Sequence, residues 1–234
     1  PRRDEARNRP GNGAVVKAVV STELARAIAD HYGVKMIDTL TGFKFIAEQI
    51  ERCEETGEHT FLFGFEESYG YLSSTFVRDK DAVNASLLVT ELALCLKLEG
   101  KTLWDRMQEI YAQFGYYVER VASVSLPGKD GLARMAEIMQ GLRKNPPTEI
   151  AGLAVAAVRD YLTGLRTDAT GATPMGLPES DGLYFEFEWR NWVCGGPSGT
   201  EPKDKLYVNT RADAKNAAEA LADKLGKASQ ELLA

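Results

Sequence analysis

The stretch AVVKAVVSTELARAIADHYGVKMID, residues 14–38, places a β-branched run, a helical pattern and a second apolar run in direct succession. After a second helical segment, TFLFGF at residues 60–65 forms a third apolar run. Strands that alternate with helices are typical of a parallel sheet whose faces carry the helices. The pattern predicts an α/β domain over residues 14–117, preceded by a linker at residues 1–13.

The second half of the chain has a different pattern. We expect strands at residues 118–126, 152–162, 183–189, 191–195 and 206–210, with a helix near each end of this half. The segment LYFEFEW at 183–189 alternates apolar and polar side chains, which is typical of a half-exposed antiparallel strand. Residues 163–181 have no periodicity and predict a long surface loop. The order indicates a smaller α+β domain over residues 118–234, with two helices against an antiparallel sheet.

The segment from about Asp81 to Leu98 is helical in pattern and apolar on nearly every side. A surface helix normally has a polar face towards water. We therefore predict that this helix is buried between neighbouring elements.

Composition limits the classes of function. The 234 residues carry a net charge of −6, which disfavours nucleic-acid binding through a basic face. Three widely spaced cysteines without a CxxC motif predict free thiols in a reducing compartment, so we expect a cytoplasmic protein.

No run approaches the ~20 apolar residues of a membrane span, and the charged start has no apolar core of a signal peptide. The linker-like start indicates a piece of a longer chain.

GFEESYG, residues 64–70, follows the third strand at the edge where α/β sheets bind ligands. A carboxylate accepts two hydroxyls side by side. Glu66 and Ser68, with Glu67 between them, are therefore candidates to bind sugar hydroxyls. The alternative is a solvated acidic turn.

GPSGTEPK, residues 196–203, is a candidate anion-binding loop. Successive backbone N–H groups around Ser198, Gly199 and Thr200 can form an anion nest, and Lys203 adds positive charge. An ordinary hairpin turn rich in turn formers is the alternative.

Two lysines are further candidates. Lys80 lies in RDKDA at a predicted helix start, where it is either an active-site cation or part of a solvated cap. Lys44 in TGFKF either faces a phosphate or is an exposed first-turn lysine. The pair Asp79 and Asp81 lacks the spacing of a calcium loop, so we expect no metal site here.

These segments occur together in an order that resembles the third and fourth domains of the α-D-phosphohexomutases, over essentially the whole chain. The resemblance rests on five segments, namely VVKAVVSTELARAIADHYGV, DTLTGFKFIAEQI, TFLFGFEESYGYL, FVRDKDAV and GPSGTEPKDKLY. The resemblance implies an α/β/α domain followed by a smaller TBP-like α+β domain. It also implies that hexose 1- and 6-phosphates are interconverted through a bisphosphate of the glucose 1,6-bisphosphate type.

In that family a phosphoserine in the first domain donates the phosphoryl group, and Mg²⁺ held in the second domain assists. By resemblance, Glu66 and Ser68 form hydrogen bonds with sugar hydroxyls. The same resemblance implies that the substrate's phosphate is bound by Ser198, Gly199 and Thr200. Lys80 matches a lysine proposed as an acid or base, and Lys44 lies in a substrate-facing loop. The expected partners are a hexose phosphate and the missing N-terminal domains of the same chain.

The chain departs from the family pattern in three ways. It has neither a TASHNP-like serine motif nor a DGDADR-like metal loop, so we expect no turnover from it alone and no tightly bound cofactor. Gly196 stands where the family usually has an arginine, which removes a bidentate donor to phosphate. Asp204 stands where an apolar residue is usual. A stand-alone, non-catalytic sugar-phosphate-binding module is the alternative, and preference among glucose, mannose and pentose phosphates stays open.

Overall fold

A computed structural model describes residues 10–124, 131–197 and 204–233. The chain divides into two compact units of nearly equal length, with the division between Phe114 and Gly115. Among the described residues, no helix combines the length and the apolar composition that a membrane crossing requires. The architecture is mixed α/β, with a largely parallel sheet in the first unit and an antiparallel sheet in the second, as predicted.

The first unit has a four-stranded sheet in the order β2-β1-β3-β4. Strands β2 and β3 pair with β1 in parallel, and β4 pairs with β3 antiparallel. The elements are β1 (Gly13–Ala18), α1 (Leu24–His31), β2 (Lys35–Thr39), α2 (Phe43–Thr56), β3 (Thr60–Glu66), β4 (Gly70–Leu72), α3 (Ala82–Leu98) and α4 (Leu103–Phe114).

Helix α2 forms the core of this unit with one face of the sheet. Ile46, Ile50 and Cys53 recur at helical spacing, as the sequence predicts, and pack with Val16 of β1. The helix ends at Gly57, whose left-handed φ of 65° suits a residue without a Cβ. Successive side chains of a strand alternate between its faces. Val15 therefore points to the sheet face opposite Val16.

Helix α3 is not buried, contrary to the expectation. Among its residues, all of which are described, Leu96 alone is buried. The helix starts where predicted, because the Asp81 carboxylate accepts a hydrogen bond from the Asn84 N–H at 2.9 Å. Its apolar composition predicted neighbours on every side, and the described chain places few there.

In its described residues, the second unit has a seven-stranded antiparallel sheet in the order β10-β9-β8-β11-β12-β13-β5, a two-stranded sheet β6-β7 and two α-helices. Its core lies between the large sheet and the helices, with Leu183, Phe185, Val193, Leu206 and Leu225 at its centre. The elements are β5 (Tyr116–Val124), α5 (Gly131–Lys144), β6 (Glu149–Ile150), β7 (Leu153–Ala154), β8 (Ala157–Asp160), β9 (Leu165–Asp168), β10 (Gly171–Pro174), β11 (Leu183–Glu186), β12 (Trp192–Pro197), β13 (Asp204–Ala212) and α6 (Lys215–Leu232).

Three expectations for this unit were wrong. The segment 163–181 contains the hairpin β9-β10 at the edge of the sheet instead of a structureless loop. The strand expected over 152–162 is split into β7 and β8. The strand expected over 183–189 ends at Glu186 and continues as a 3-10 turn, so Trp189 is exposed with φ of 62°.

The LYFEFEW strand is also more buried than its alternation predicts. Tyr184 lies on the face away from the core yet is buried, because it stacks on Trp192 at 4.9 Å and carries the Arg159 guanidinium over its ring.

Candidate functional site

The turn between β3 and β4 lies at the carboxyl end of a strand in the parallel part of the sheet. Glu66 pairs with Gly70 across the hairpin, so Glu67, Ser68 and Tyr69 form the turn itself. Tyr69 adopts a left-handed φ of 63° and is almost fully exposed. The strand ends here place the sequence-predicted residues where ligands bind in α/β sheets.

Glu66 is the buried acid of this turn, with 4% of its surface exposed. Its Oε1 accepts a hydrogen bond from the Ser68 hydroxyl at 3.1 Å and lies 3.5 Å from the Lys80 ammonium. Within the described part of the chain, no donor reaches its Oε2. A buried carboxylate with one free oxygen retains the capacity to accept a hydroxyl from a ligand.

Lys80 approaches the same carboxylate from the segment before α3. The Asp79 carboxylate accepts from the Lys80 backbone N–H at 2.7 Å and lies 3.4 Å from the ammonium. The Lys80 backbone N–H is the main cause that lowers the pKa of Asp79. The Lys80 ammonium lies 5.2 Å from the centroid of the Phe43 ring, and its side chain is 46% exposed. It can therefore contact both Glu66 and a molecule from solvent.

Gly70 allows Glu66 and Lys80 to approach each other, which sequence reasoning missed. A Cβ at this position would lie 2.7 Å from Cγ and 2.9 Å from Oε1 of Glu66, and 3.0 Å from Cδ of Lys80. Gly70 is not among the glycines with positive φ, so the glycine is needed for space rather than for backbone conformation. The paired glycines of GFEESYG were the available signal.

Glu67 turns towards the loop after β1. The Ser21 hydroxyl donates to Oε2 of Glu67 at 3.3 Å, and the carbonyl of Ser21 accepts from the Lys17 ammonium at 3.1 Å. Lys17 is fully buried and also pairs with Glu23 at 2.9 Å and Asp38 at 3.4 Å.

This buried network supports the loop beside the candidate site. Arg26 completes it with ion pairs to Glu23 at 2.7 Å and Asp38 at 2.5 Å. The sequence signal was a single lysine within the apolar run AVVKAVV, which went unused.

The remaining predicted residues are not brought to this turn by the described contacts. The Lys44 ammonium lies 4.7 Å from the centroid of its neighbour Phe45, and none of its described contacts reaches Glu66 or Ser68. Ser198, Gly199, Thr200 and Lys203 lie outside the described residues, as does the side chain of Asp204.

Gly196, at the start of the predicted phosphate loop, fits closely against the chain. A Cβ there would lie 2.5 Å from the carbonyl oxygen of Asp181 and 3.0 Å from Cα of Gly182. No side chain fits at this position without movement of the backbone. The chain as folded therefore has no room for the arginine that the resemblance implies at this position.

The second unit holds a charge network that the sequence did not reveal. Glu186 accepts through one oxygen from Arg159 and from Arg166 at 3.0 Å, and through the other from Arg166 at 2.8 Å. Burial alone raises the pKa of Glu186, but the two arginines outweigh it and lower that pKa. Both oxygens of Glu186 are therefore occupied by protein donors.

Asp168 is the outer member of this network. Its carboxylate accepts from the hydroxyl and backbone N–H of Thr170 and from Arg166, which together lower its pKa to about 2. Hydrogen bonds to the charged form favour that form.

No group of three His, Cys, Asp or Glu side chains able to hold a metal ion occurs within residues 10–124, 131–197 and 204–233. Cys53, Cys95 and Cys194 form no disulfide. The Mg²⁺ that the family resemblance implies has no candidate ligand set in these ranges.

Known proteins similar to this chain are phosphohexose mutases. Residues 2–114 match the family model described as phosphoglucomutase/phosphomannomutase, alpha/beta/alpha domain III. Over 199 residues the chain is 40% identical to curated phosphoglucomutases of Staphylococcus aureus, including those of strains MSSA476 and N315. These alignments cover 84% of this chain, which spans about 36% of the length of those relatives.

Two solved structures share its fold. One is the exocytosis-sensitive phosphoprotein parafusin, a phosphoglucomutase from Paramecium, with a TM-score of 0.66 at 19% identity over 94% of this chain and 38% of that one. The other is a phosphoglucomutase/phosphomannomutase family protein from Burkholderia thailandensis, with a TM-score of 0.52 at 13% identity over 97% of this chain and 39% of that one. At these identities the likeness supports the fold alone.

Proposed function

Because this chain belongs to the α-D-phosphohexomutase family, we propose that it supplies the hexose-phosphate-binding part of an intramolecular phosphotransferase of the isomerase class. The longer enzyme interconverts hexose 1-phosphate and hexose 6-phosphate. The sugar-binding role falls to residues 14–117 and the phosphate-binding role to residues 118–234. Glucose 1-phosphate is the first substrate to test, because the curated relatives are named phosphoglucomutases.

One observation carries this proposal, namely the incomplete hydrogen bonding of the buried Glu66. Its Oε1 already meets Ser68 and Lys80, while Oε2 has no donor in the described part of the chain. A sugar hydroxyl that donates to Oε2 and accepts from Lys80 satisfies both groups. The acid thus selects the neutral, hydroxyl-bearing part of the ligand, and the lysine orients that part beside the acid.

Lys80 also has the geometry for proton transfer at a bound hydroxyl. Its half-exposed ammonium lies 3.5 Å from Glu66 and is held by Asp79. A group within hydrogen-bond reach of a substrate oxygen can hold or deliver the proton exchanged there. In the proposal, Lys80 has this role, Glu67 supports the turn, and Lys44 contributes positive charge from a substrate-facing loop.

The phosphoserine and the metal belong to other domains in this proposal. Mg²⁺ in the longer protein supplies charge stabilisation during phosphoryl transfer, and a glucose 1,6-bisphosphate-type intermediate links the two half-reactions. This chain contributes substrate orientation and the proton transfer at Lys80, and we predict no mutase turnover from the purified chain. We further propose a cytoplasmic location, consistent with three cysteines that form no disulfide.

Calorimetric titration of the chain with glucose 1-phosphate tests the proposal. Glu66→Gln removes the charge, and Gly70→Ala places a Cβ against both Glu66 and Lys80. Hydrogen bonds to a charged group contribute about 1.5–3 kcal/mol, so each variant should weaken binding by roughly 10-fold or more. Gly141→Ala is the matched control, because its added Cβ meets nothing within 4 Å. Equal affinity of Glu66→Gln and wild type contradicts the sugar-binding role.

The close packing at Gly196 favours a second candidate function. Without the arginine fork, the second unit holds phosphate less firmly. A stand-alone sugar-phosphate-binding module does not have to hold the phosphate in place for catalysis, so it tolerates the loss of the phosphate-binding arginine. The upstream coding sequence distinguishes the two functions, because an enzyme requires serine and aspartate loops there.

A further inference from the structure

Helix α3 presents an apolar surface to solvent. Its seventeen residues contain two charged side chains, Glu91 and Lys97. The largest exposed apolar side chains are Val83 at 82%, Leu87 at 58%, Leu94 at 58% and Leu98 at 75%. These four positions recur at helical spacing and share one face of the helix, so the face that α3 turns towards water is apolar instead of polar.

A second uncovered apolar surface adjoins α3. A groove of about 470 Å³ lies between α1 and the sheet face opposite α2. Val15, Ile28, Phe63, Phe65 and Tyr71 are among the side chains that line it, and all of the lining side chains are uncharged. Tyr71 belongs to β4, the strand against which α3 packs. Tyr71 thus extends the groove to the strand beside α3, and its carbonyl accepts from the N–H of Asp81, the residue that caps the helix, at 2.9 Å.

Folded monomers rarely expose contiguous apolar patches beyond a few hundred Å². A helix of seventeen residues is about 25 Å long, so α3 alone presents an apolar strip of comparable size. We propose that α3 and the adjoining groove are the docking face for another folded domain of the same polypeptide. The partner face is apolar at its centre, and its polar groups lie at the rim.

The identity of the occupant follows from the comparisons together with the chemistry of the surface. The first unit matches a domain numbered third, and the chain spans about 36% of its curated relatives. Two domains of one polypeptide are at a high effective concentration with respect to each other, so an apolar surface on one domain is readily covered by the other. A nucleic acid or charged peptide requires a cluster of charges, whereas α3 carries one acid and one lysine and the groove lining carries no charged side chain. The inference rests on the proposal that the chain is part of a longer enzyme.

Covalent footprinting of side chains tests this docking face in the absence of substrate. The chain alone and the longer protein encoded by the same gene are labelled under the same conditions. We expect labelling of Val83, Leu87 and Leu98 to fall at least five-fold in the longer protein. Val121, an exposed apolar residue of β5, is the internal reference.

A paired variant links protection to docking. Leu87→Glu and Leu94→Glu together place two charges on α3 at exposed positions, and should restore labelling of Val83 in the longer protein. Val121→Glu is the control and should leave it protected. Circular dichroism establishes that each variant retains its helices.

Three results overturn the proposal: equal labelling of α3 in both proteins, protection of α3 in a dimer of the chain alone, or a gene that encodes no further domain. Failure here leaves the glucose 1-phosphate titration unaffected, because footprinting needs no ligand.

Discussion

Glu66 in the first unit and Glu186 in the second are both carboxylates withdrawn from water, but their surroundings differ. Glu66 accepts from Ser68 at 3.1 Å, lies 3.5 Å from a half-exposed lysine and keeps one oxygen without a donor in the described chain. Glu186 accepts three hydrogen bonds from two arginines through both oxygens. The structure places each acid at the last residue of a strand, so position in the strand does not distinguish them.

The difference teaches that unused hydrogen-bonding capacity separates a binding acid from a structural one. A buried polar group without a partner is costly, so a free oxygen persists where a ligand uses it. A saturated acid stabilises the fold and offers nothing to a ligand. Lys17 has no unused hydrogen-bonding capacity of this kind, because its ammonium donates to the carbonyls of Ala18 and Ser21 and pairs with Glu23 and Asp38.

The largest expected effect comes from breaking that buried network. Lys17→Met leaves the Glu23 and Asp38 carboxylates with less countercharge, and removal of one partner of a buried pair costs about 3–5 kcal/mol. Urea denaturation should report this loss in the free energy of unfolding. Lys215→Met, which removes an exposed pair with Glu219, should cost under about 0.5 kcal/mol. Similar losses in both variants contradict the structural role of Lys17.

Glu186→Gln sharpens the comparison directly. The variant leaves Arg159 and Arg166 with a neutral partner, and we expect the free energy of unfolding to fall by about 2 kcal/mol. Its affinity for glucose 1-phosphate should equal that of the wild type, whereas Glu66→Gln should lose affinity with less change in stability. If Glu186→Gln binds ten-fold more weakly, the distinction between the two acids fails.

The same network predicts a dependence of stability on pH. The pKa of Glu186 is lowered by its arginines and that of Asp168 is lowered to about 2 by Thr170 and Arg166. A carboxylate whose pKa is lowered by folding stabilises the fold fully at pH values above the ordinary carboxyl pKa of ~4. This contribution to the free energy of unfolding is lost as the pH falls towards 2. Melting temperatures between pH 7 and pH 2.5 should therefore converge for wild type and Glu186→Gln below pH 4. A constant difference across that range contradicts the prediction.

Local patterns in the sequence predicted the first unit well. The β-branched runs and the spacing of Ile46, Ile50 and Cys53 report packing between near neighbours, which a short window contains. The turn that holds Glu66 and Ser68 was found from its position after an apolar strand. Gly70 and Lys17 were missed because their roles depend on contacts made only after the strands pair.

The errors also have physical causes. Burial of α3 was inferred from its composition, but burial requires neighbours, and the described chain places few on that helix. The β9-β10 hairpin has no apolar alternation because it lies at the sheet edge. Its stability comes instead from backbone pairing and from Arg166, which links Glu186 and Asp168. Such polar cross-strand links leave no periodic signal.

The smallest expected effect concerns strain in the binding turn. Tyr69 holds a left-handed φ of 63° while its side chain is 87% exposed. This conformation costs a non-glycine residue about 1–2 kcal/mol, and glycine loses about 0.4–1 kcal/mol more entropy on folding. Tyr69→Gly should therefore raise the free energy of unfolding by up to about 1 kcal/mol. Calorimetry should also detect weaker glucose 1-phosphate binding, because glycine loosens the turn that holds Ser68 against Glu66. A variant that is destabilised and binds normally assigns Tyr69 to the fold, and thereby places it with Glu186 rather than with Glu66.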